Sequence, residues 1–341
     1  MCIRDSYVSG YLRDEKLFRK AFPCGLRPQG VDIVRTWLYY TLLRVYQLLG
    51  EKAFQDVRIS GMGLDEAGEA MHKSKGNIIW PEPIFEKYGA DAFRLWGASE
   101  ARLGSDYRFS WERLEGSARF LTKLWNVSRF VSAFPLVDDG ESFSLQPLDE
   151  MALAKLNETI RECVRGYEAM DVFPPAHAIR SFLWSFFADH YVEAIKARAY
   201  NSSGEYGEAE QKAAWWTLHT CVKTVLKLLA PICPHITEAI WRRVYSEKSI
   251  HLEAFPEPNP AWESSFSKLA EEFQEFNSAV WRFKKARGLS LKSEVAEVYA
   301  PPELEPFKAD LKAMHQIKVL RFGVPEQPEN YSLYGKAYLK G

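Results

Sequence analysis

The sequence predicts a multidomain protein in which an α/β segment is followed by an all-α segment and then by a second, smaller α/β unit. Residues 7–110 alternate strand-like and helix-like stretches that meet at glycines, which is the α/β pattern. From about Trp111 onward, apolar residues recur every three or four positions, as in amphipathic helices. The prolines of Pro256–Pro260 then end the helical pattern. We therefore predict domains at residues 7–110, 111–258 and 262–341.

Local signals predict individual elements in each segment. Tyr39–Leu49 is typical of a helix that ends at Gly50, and Val57–Ser60 is typical of a short strand. Three apolar series in the middle segment have the spacing of buried helix faces, namely Phe120, Leu124, Val127 and Val131; Ile179, Leu183, Phe186 and Phe187; and Trp215, Leu218, Val222, Val225 and Leu229. The last segment is predicted to contain a helix, a strand, a second helix and a second strand, at about Phe266–Ala286, at Val295–Tyr299, after Pro301 and Pro302, and at Ile317–Phe322.

Composition restricts the compartment and the kinds of partner. The net charge of -1 provides no global positive field, so any nucleic-acid contact must come from local basic faces. The five cysteines are widely spaced and form no C-x-x-C pair, which argues against disulfides and zinc and favours the reducing cytoplasm. The longest apolar stretch, Leu38–Leu49, contains Arg44 and Gln47 and is too short to span a membrane. Met1–Ser6 is not a signal peptide and matches nothing downstream, so we expect it to be an artefact of where the reading frame was cut.

The segment Gly68–Asn77, which reads GEAMHKSKGN, carries the clearest chemical signal. Lysine, glycine and small polar residues in one turn can bring ammonium and backbone N–H groups to phosphate oxygens, although they are also common in ordinary solvated turns. The chain continues through Tyr88–Trp96, which reads YGADAFRLW. Together these stretches resemble the Lys-Met-Ser-Lys-Ser signature loop of class I aminoacyl-tRNA synthetases and the run that follows it. Ala70 stands in place of the first lysine of that signature, and His72 in place of its first serine.

The resemblance implies an ATP-dependent aminoacyl-tRNA ligase. ATP would enter as its Mg²⁺ complex, and no metal bound by the protein itself is expected. Lys73 is implied as the catalytic residue. When an amino acid attacks the α-phosphate of ATP, negative charge grows on the departing pyrophosphate, and a mobile cation must meet it. Met71 and Ser74 are implied as further ATP-binding residues.

A second resemblance concerns the amino acid. Leu26–Trp37 is similar to the strand-to-helix junction that borders the adenylate pocket in valine-specific class I enzymes of the archaeal type. This similarity implies Gly30 and Asp32 at the nucleotide, and Ile33 and Trp37 in the wall of the amino-acid pocket.

The same stretch leaves alternatives open. Val31 stands where the family usually has histidine, and Trp37 could also be a core aromatic of its helix. A bulky indole in a pocket can exclude a substrate with an extra methylene, which is worth about 1 to 3 kcal/mol of discrimination.

Three further stretches resemble later parts of the same enzymes. Phe120–Phe130 and Leu229–Trp241 are similar to helices of the anticodon-binding bundle, and Phe283–Leu291 is similar to the small C-terminal unit. The implied fold is the C-terminal part of a Rossmann-like class I catalytic domain, an anticodon-binding helical bundle and a small C-terminal α/β unit. The implied tRNA contacts are basic or polar side chains on two of these stretches, namely Lys123, Asn126, Arg129, Lys284 and Lys285. A solvated helix face is the alternative for each of them.

The other class I signature, His-x-Gly-His, occurs at none of the seven histidines. We therefore expect a fragment of an enzyme that attaches L-valine to tRNA(Val) through valyl-adenylate. Without the missing N-terminal half of the same polypeptide and its editing domain, the fragment should be inactive. A catalytically inactive tRNA-binding module, or an isoleucyl or leucyl member of the class, is the alternative. Because half of a doubly wound sheet exposes an apolar edge, we expect the isolated chain to aggregate or to be partly molten.

Overall fold

The computed structural model describes residues 9–138 and 140–340, so the prediction for Met1–Ser6 lies outside the described residues. The first of two compact units contains the described residues up to Ser117 together with Gly166–Phe173, and the remainder forms the second. The predicted fold class is confirmed, because the first unit combines helices with short parallel strands and the second combines a helical bundle with a small mixed sheet. The three domain boundaries stay predictions. Among the described residues, every helix is too short or too polar to cross a bilayer.

The first unit is built from short elements. Its helices are α1 (Glu15–Ala21), α2 (Tyr39–Leu49), α3 (Pro81–Tyr88), α4 (Ala90–Glu100) and the start of α5 (Trp111–Val131). Its strands are β1 (Cys24–Gly30), β2 (Phe54–Ser60), β3 (Gly63–Leu64) and β4 (Tyr107–Arg108). Helix α2 has the predicted bounds, because Gly50 adopts a φ of +66° and donates its N–H to the carbonyl of Tyr46. Strand β2 includes the predicted Val57–Ser60 and begins three residues earlier.

Strands β1 and β2 are parallel, and helix α2 lies between them in the chain. Their carboxyl ends are therefore adjacent, with Gly30 opposite Ser60. Strand β3 follows β2 and pairs in parallel with β4. The connection at Gly61 requires glycine, because a Cβ atom there would lie 1.9 Å from the carbonyl oxygen of Ser105. Ligands of open α/β sheets bind beyond such carboxyl ends, so the residues after β1 and after β3 are placed for binding.

Two apolar clusters stabilise this unit. One joins α1, β1, α2 and β2 through Phe18, Phe22, Leu38, Val45, Ala53 and Phe54. The other joins α3, α4 and the start of α5 through Ile84, Trp96, Phe109 and Leu114. Of the residues of helix α2, Thr41 and Val45 are buried among the described residues. Much of its remaining surface is exposed and apolar, including Tyr39, Tyr40, Leu42, Leu43, Tyr46 and Leu48.

The second unit contains the predicted helical bundle. Its helices are the rest of α5, α6 (Pro147–Glu168), α7 (Phe173–Arg180), a π-helix (Ser181–Tyr191), α8 (Val192–Tyr200), α9 (Glu208–Leu229) and α10 (Pro234–Val244). The three predicted apolar series are buried, except that Trp215 is only half-buried. Helix α9 ends before Pro231, and α10 has Pro234 at its first position, where a missing N–H costs no helical hydrogen bond.

The C-terminal part of this unit is a helix packed with a four-stranded mixed sheet. It contains α11 (Ala270–Ala286), β5 (Val295–Ala300), α12 (Lys308–His315), β6 (Ile317–Phe322), β7 (Ser332–Tyr334) and β8 (Ala337–Lys340). The strand order is β6-β5-β8-β7, and only the β5–β6 pair is parallel. Helix α11 begins four residues after the predicted Phe266, because Ser265–Leu269 forms a 3-10 turn instead. Strands β7 and β8 were not predicted.

A buried ion cluster joins the bundle to this C-terminal part. Arg198 on α8 donates from Nη1 and Nη2 to the two carboxylate oxygens of Asp149 on α6, both at 2.7 Å. Its Nε donates to Asp310 on α12 at 3.4 Å. Burial raises the pKa of Asp310 to about 6, although the charge of Arg198 acts in the opposite direction. The cluster therefore fixes three helices by charge-assisted bonds that water does not screen.

Candidate active-site loop and helical groove

The segment that follows β3 forms a loop whose beginning is a tight turn. Asp65 donates its N–H to the carbonyl of Glu69 at 2.8 Å, and Gly68 donates to the carbonyl of Asp65 at 3.0 Å with a φ of +86°. Leu64 and Ala70 form an isolated antiparallel bridge across the turn. These bonds bring the chain back alongside β3 before the signature residues begin.

Asn77 connects the far end of the loop to its beginning. Its Nδ2 donates to Asp65 Oδ2 at 2.7 Å and to the carbonyl of Ala70 at 3.2 Å, and its Oδ1 accepts from the N–H of His72 at 2.9 Å. The hydrogen bond from Asn77 lowers the pKa of Asp65, and backbone N–H groups, that of Glu69 first, add to this effect. The base of the loop is therefore a closed hydrogen-bonded frame.

The tip of the loop is a single 3-10 turn, Lys73–Lys75, closed by Gly76 with a φ of +68°. Lys75 forms an ion pair with Glu69 at 2.9 Å. Lys73 is exposed, and its ammonium group has no hydrogen-bond or ion-pair partner among the described residues. Ser74 is exposed beside it. The loop therefore presents one uncompensated cation to a ligand.

Met71 connects the loop to the sheet. It is half-buried, and its Cε lies 3.4 Å from the place where a Cβ atom on Gly63 would stand. The same place lies 3.1 Å from the hydroxyl of Tyr107. A Cβ atom at position 63 would therefore crowd the hydroxyl of Tyr107 and lie in van der Waals contact with Met71. This packing supports a structural contribution of Met71 beside its predicted ATP-binding role.

The predicted nucleotide and amino-acid residues lie directly after β1. Gly30 ends the strand, and a Cβ atom there would lie 2.5 Å from Asp32 Oδ1, so glycine lets this carboxylate fold back toward the strand end. Asp32 is exposed and Ile33 is half-buried, both in the 3-10 turn Val31–Ile33. The structure thus places these residues together at the carboxyl end of β1.

Trp37 lies in the π-helical turn after these residues and is half-buried. Its ring stacks on Phe54 with centroids 6.3 Å apart, so one face of the indole belongs to the core. The guanidinium of Arg27 lies 3.9 Å from the indole centroid. The packing on Phe54 fits the alternative of a core aromatic, and a role in amino-acid selection stays a prediction.

The predicted tRNA contacts on α5 have different surroundings. Lys123 forms an ion pair with Asp189 at 2.6 Å. Asn126 and Arg129 are exposed, and their side chains have no hydrogen-bond or ion-pair partner among the described residues. Arg129 lines a concave surface.

This surface, the α5–α10 groove, has a volume of about 340 Å³ and is lined by Trp125, Ser128, Arg129, Ser132, Ile240, Arg243 and Val244. The guanidinium of Arg243 lies 5.2 Å from the ring centroid of Trp125. Ser128 is 2% exposed, and its hydroxyl has no hydrogen-bond partner among the described residues. The groove therefore combines two cations, an aromatic face and a buried polar group that could bond to a ligand.

The predicted contact at Lys284 needs a correction. Its side chain is 0% exposed, and Nζ donates to the carbonyls of Leu291 and His315, both at 2.8 Å. Burial lowers the pKa of Lys284, and the two carbonyls occupy its donors. This lysine holds the chain after α11 and is not available to an RNA phosphate. Lys285, the next residue, is exposed.

The described residues contain no group of three or more His, Cys, Asp or Glu side chains arranged to hold a metal ion.

Two known family models together match most of the chain. The family model for tRNA synthetases class I (I, L, M and V) matches residues 5–110, and the model for the anticodon-binding domain of tRNA ligase matches residues 149–300. This chain belongs to the class I tRNA synthetases. The family predicted from Gly68–Asn77 and Leu229–Trp241, which lie within the matched ranges, is thereby confirmed.

Curated relatives of this class I synthetase chain are valine--tRNA ligases. The chain is 47% identical over 319 residues to that of Pyrobaculum aerophilum, covering 93% of this chain and 40% of the relative. It is 41% identical over 336 residues to that of Aeropyrum pernix, covering 97% of this chain and 41% of the relative. The chain thus spans about 40% of the length of the curated relatives it matches.

Solved structures support the class I synthetase fold. The Agrobacterium radiobacter LeuRS, in a ternary complex with tRNA and LeuAMS, matches with a TM-score of 0.59 and 18% identity, over 75% of this chain and 32% of that one. The Mycobacterium tuberculosis methionyl-tRNA synthetase, in complex with methionyl-adenylate, matches with a TM-score of 0.54 and 20% identity, over 74% and 52%.

The structure of the class I synthetase chain also reveals residues that the sequence analysis did not single out. Asp65 and Asn77 form the base of the loop, and Trp125 and Arg243 form the groove. Arg27 lies on the indole of Trp37. A local signal existed for Asn77, which ends the signature segment, for Arg27, which lies within Leu26–Trp37, and for Trp125, which lies beside the predicted Asn126.

Proposed function

We propose that the polypeptide to which this chain belongs activates L-valine with ATP to form valyl-adenylate and then transfers the valyl group to tRNA(Val) in the cytoplasm. The observation that carries this proposal is the uncompensated cation of Lys73 at the tip of a loop with a fixed base. Homology to valine--tRNA ligases along nearly the whole chain supports the choice of amino acid. In this proposal the chain supplies the loop and the tRNA-binding bundle.

The chemistry follows from where charge develops. The valine carboxylate attacks the α-phosphorus, the bond to the bridging oxygen breaks, and pyrophosphate leaves with added negative charge. Mg²⁺ enters with ATP as part of the substrate complex and neutralises phosphate charge when bound. Lys73 would meet the departing pyrophosphate, and the hydroxyl of Ser74 could donate a hydrogen bond beside it. Gly76 lets the chain turn sharply after the lysine, which keeps the tip short enough to approach a phosphate.

The test is pyrophosphate exchange by the full-length enzyme, meaning this chain together with the N-terminal part that its relatives carry. Lys73→Ala should lower the valine-dependent exchange rate roughly 10²- to 10³-fold, the loss expected for one transition-state donor. Lys20→Ala, which removes another exposed lysine of the first unit, is the matched control and should leave the rate unchanged. An unchanged rate in Lys73→Ala would refute the assignment.

Charging assays with valine, isoleucine and leucine identify the amino acid. We expect valine to be attached to tRNA(Val) with the highest kcat/KM. Replacing Trp37 by alanine should reduce the preference for valine over isoleucine, if the indole limits the pocket, by the roughly 10- to 200-fold that one methylene is worth. Preferential charging with isoleucine or leucine by the unmodified enzyme would show that the chain belongs to the isoleucine or leucine member of the class instead.

The α5–α10 groove supports a tRNA contact, and also the second candidate function, a tRNA-binding module without catalysis. Base–aromatic stacking on Trp125 would contribute about 1–3 kcal/mol, and Arg129 and Arg243 would add salt-dependent phosphate contacts. Trp125→Ala should therefore weaken tRNA binding by the chain roughly 10- to 100-fold in a filter-binding titration. Lys312→Ala, which removes an exposed lysine of α12, is the control. Binding of tRNA by a full-length protein that shows no exchange would favour the module.

A further inference from the structure

Two side chains outside the predicted site hold both ends of the segment that carries Lys73. Asp65 directly follows β3, and Asn77 directly follows the glycine that closes the tip. Their side chains meet at 2.7 Å, where Asn77 Nδ2 donates to Asp65 Oδ2. The contact closes the base of the loop, while the residues between the two positions form its turn and tip.

The side chain at position 65 is used only as an acceptor. Asp65 Oδ1 accepts the N–H groups of Ala67 at 2.9 Å and Glu69 at 2.8 Å, and Oδ2 accepts the amide of Asn77. A carboxylate suits this position because it has acceptors on both oxygens and no donor. The hydrogen bonds also keep the group ionised, since they lower the pKa of Asp65.

Position 77 needs a donor and an acceptor at once. Asn77 Oδ1 accepts the N–H of His72 at 2.9 Å, while its Nδ2 donates to Asp65 and to the carbonyl of Ala70 at 3.2 Å. A carboxylate at this position could keep the bond to His72 but would face the carboxylate of Asp65. The two residue types are therefore complementary and not interchangeable one at a time.

The tip itself has few constraints of its own. Its backbone bonds are those of one 3-10 turn, from Lys75 N–H to the carbonyl of His72 at 3.1 Å and from Gly76 N–H to the carbonyl of Lys73 at 3.2 Å. Met71 adds a packing contact beside Gly63 before the tip begins. The ion pair of Lys75 with Glu69 is exposed on both sides and so adds little further constraint. The direction in which the Lys73 stem leaves the loop thus depends mainly on how the base is held.

We infer that Asp65 and Asn77 are positioning residues for amino-acid activation, and that their contact aims Lys73 at the triphosphate when the loop closes. This inference rests on the proposed function. Neither residue needs to touch ATP. A misplacement of a reacting group by about 1 Å costs roughly 10²-fold in rate, so loosening the base should reduce kcat while valine binding after β1 is retained.

Reciprocal substitution tests the inference in the full-length enzyme. Asp65→Asn and Asn77→Asp should each lower kcat for pyrophosphate exchange roughly 10- to 100-fold, because each places two donors or two carboxylates face to face. The Asp65→Asn/Asn77→Asp double variant restores a donor opposite an acceptor, but it replaces the bond to Ala70 by a carboxylate oxygen that faces the same carbonyl. It should recover a large part of the lost rate, and KM for valine should stay within about twofold in all three. Asn330→Asp, at an exposed asparagine of the second unit, is the matched control.

Hydrogen exchange provides a readout that does not depend on catalysis. The single variants should speed hydrogen exchange at the N–H groups of Ala67, Glu69 and His72, because repulsion between the side chains at positions 65 and 77 displaces the oxygens that accept these N–H groups. The double variant should slow this exchange again. Equal rates in single and double variants, in both kinetics and exchange, would overturn the inference. A purely structural role would instead lower thermal stability without a selective fall in kcat.

A double-mutant cycle separates this inference from the proposed function. If Asn77 acts through Lys73, then Asn77→Ala should cause little further loss of rate in a Lys73→Ala background. A full additional 10- to 100-fold loss would show that Asn77 acts by another route and would overturn the inference while leaving the function intact. If Lys73→Ala alone leaves the exchange rate unchanged, the proposed function itself fails.

Discussion

Replacing Arg198 by methionine should strongly destabilise the second unit, because the change removes a buried charge and leaves its partner in place. Arg198 is 1% exposed and Asp149 is 0% exposed, and they are joined by two parallel bonds of 2.7 Å. Methionine keeps most of the aliphatic stem, so the loss of packing is small. After the substitution, the partners that Asp149 retains among the described residues are the hydroxyl of Tyr191 at 2.7 Å and the N–H of Gln146 at 3.0 Å.

The magnitude follows from this uncompensated carboxylate. Breaking a buried ion pair from one side costs roughly 3–5 kcal/mol. For a domain of this size each kcal/mol lowers the melting temperature by about 2–4 °C, so Arg198→Met should melt roughly 6–20 °C lower. Asp149→Asn combined with Arg198→Met removes both charges and should be less destabilised than Arg198→Met alone.

Thermal unfolding of the whole chain, followed by far-ultraviolet circular dichroism, measures the effect. Arg161→Met is the matched control, because Arg161 pairs with Glu263 at the surface, where both side chains are largely exposed. Such a pair is worth about 0–1 kcal/mol. Equal melting temperatures for Arg198→Met and Arg161→Met would refute the reasoning. A double variant less stable than Arg198→Met would show that the buried charge is not the cause.

Three further predictions concern pH and self-association. Burial raises the pKa of Asp310 from its usual 3.8 to about 6, so the folded state favours the protonated acid and loses stability as pH rises through that interval. Asp310→Asn should remove this loss in urea titrations, and an unchanged pH profile would contradict it. Burial lowers the pKa of His315 from 6.5 to about 3, which has the opposite consequence. The unfolded chain binds the proton first, so stability should fall by up to about 1.4 kcal/mol per pH unit on acidification below 6.5. His315→Gln should flatten this acid limb, and an equally steep limb in the variant would exclude His315 as its cause. Finally, Tyr46→Glu with Leu48→Lys should reduce aggregation of the isolated chain in light scattering, because both side chains extend the exposed apolar face of α2. Undiminished scattering would assign aggregation to another surface.

Local sequence signals were sufficient for elements whose ends depend on a single residue. Helix α2 ends where Gly50 supplies a left-handed conformation. Strand β6 has the predicted bounds of Ile317–Phe322. In each case the deciding constraint is contained within a few neighbouring residues, which is the range that periodicity and capping rules describe.

Contacts between distant positions could not be predicted in this way. Strands β7 and β8 are only three and four residues long, and β8 becomes a strand by pairing with β5. The contact between Asp65 and Asn77 depends on the turn that brings the chain back to β3. Signature residues were visible in the sequence, whereas the side chains that hold them were not, because any exposed Asp or Asn has the same local pattern.

The lysines show why residue type alone could not assign function. Lys75 and Lys123 are neutralised by neighbouring carboxylates, and Lys284 is buried on two carbonyl oxygens. Lys73 and Lys285 are exposed, and neither side chain has a hydrogen-bond or ion-pair partner in the described part of the chain. A charge that the protein already compensates gains little from a ligand, since a new contact must replace an old one. Of these five lysines, Lys73 and Lys285 are therefore the ones whose charge is free to meet a substrate. The ammonium group of Lys73 is also carried by a loop whose base is closed by the Asp65–Asn77 hydrogen bond and bridged to β3 through Leu64 and Ala70.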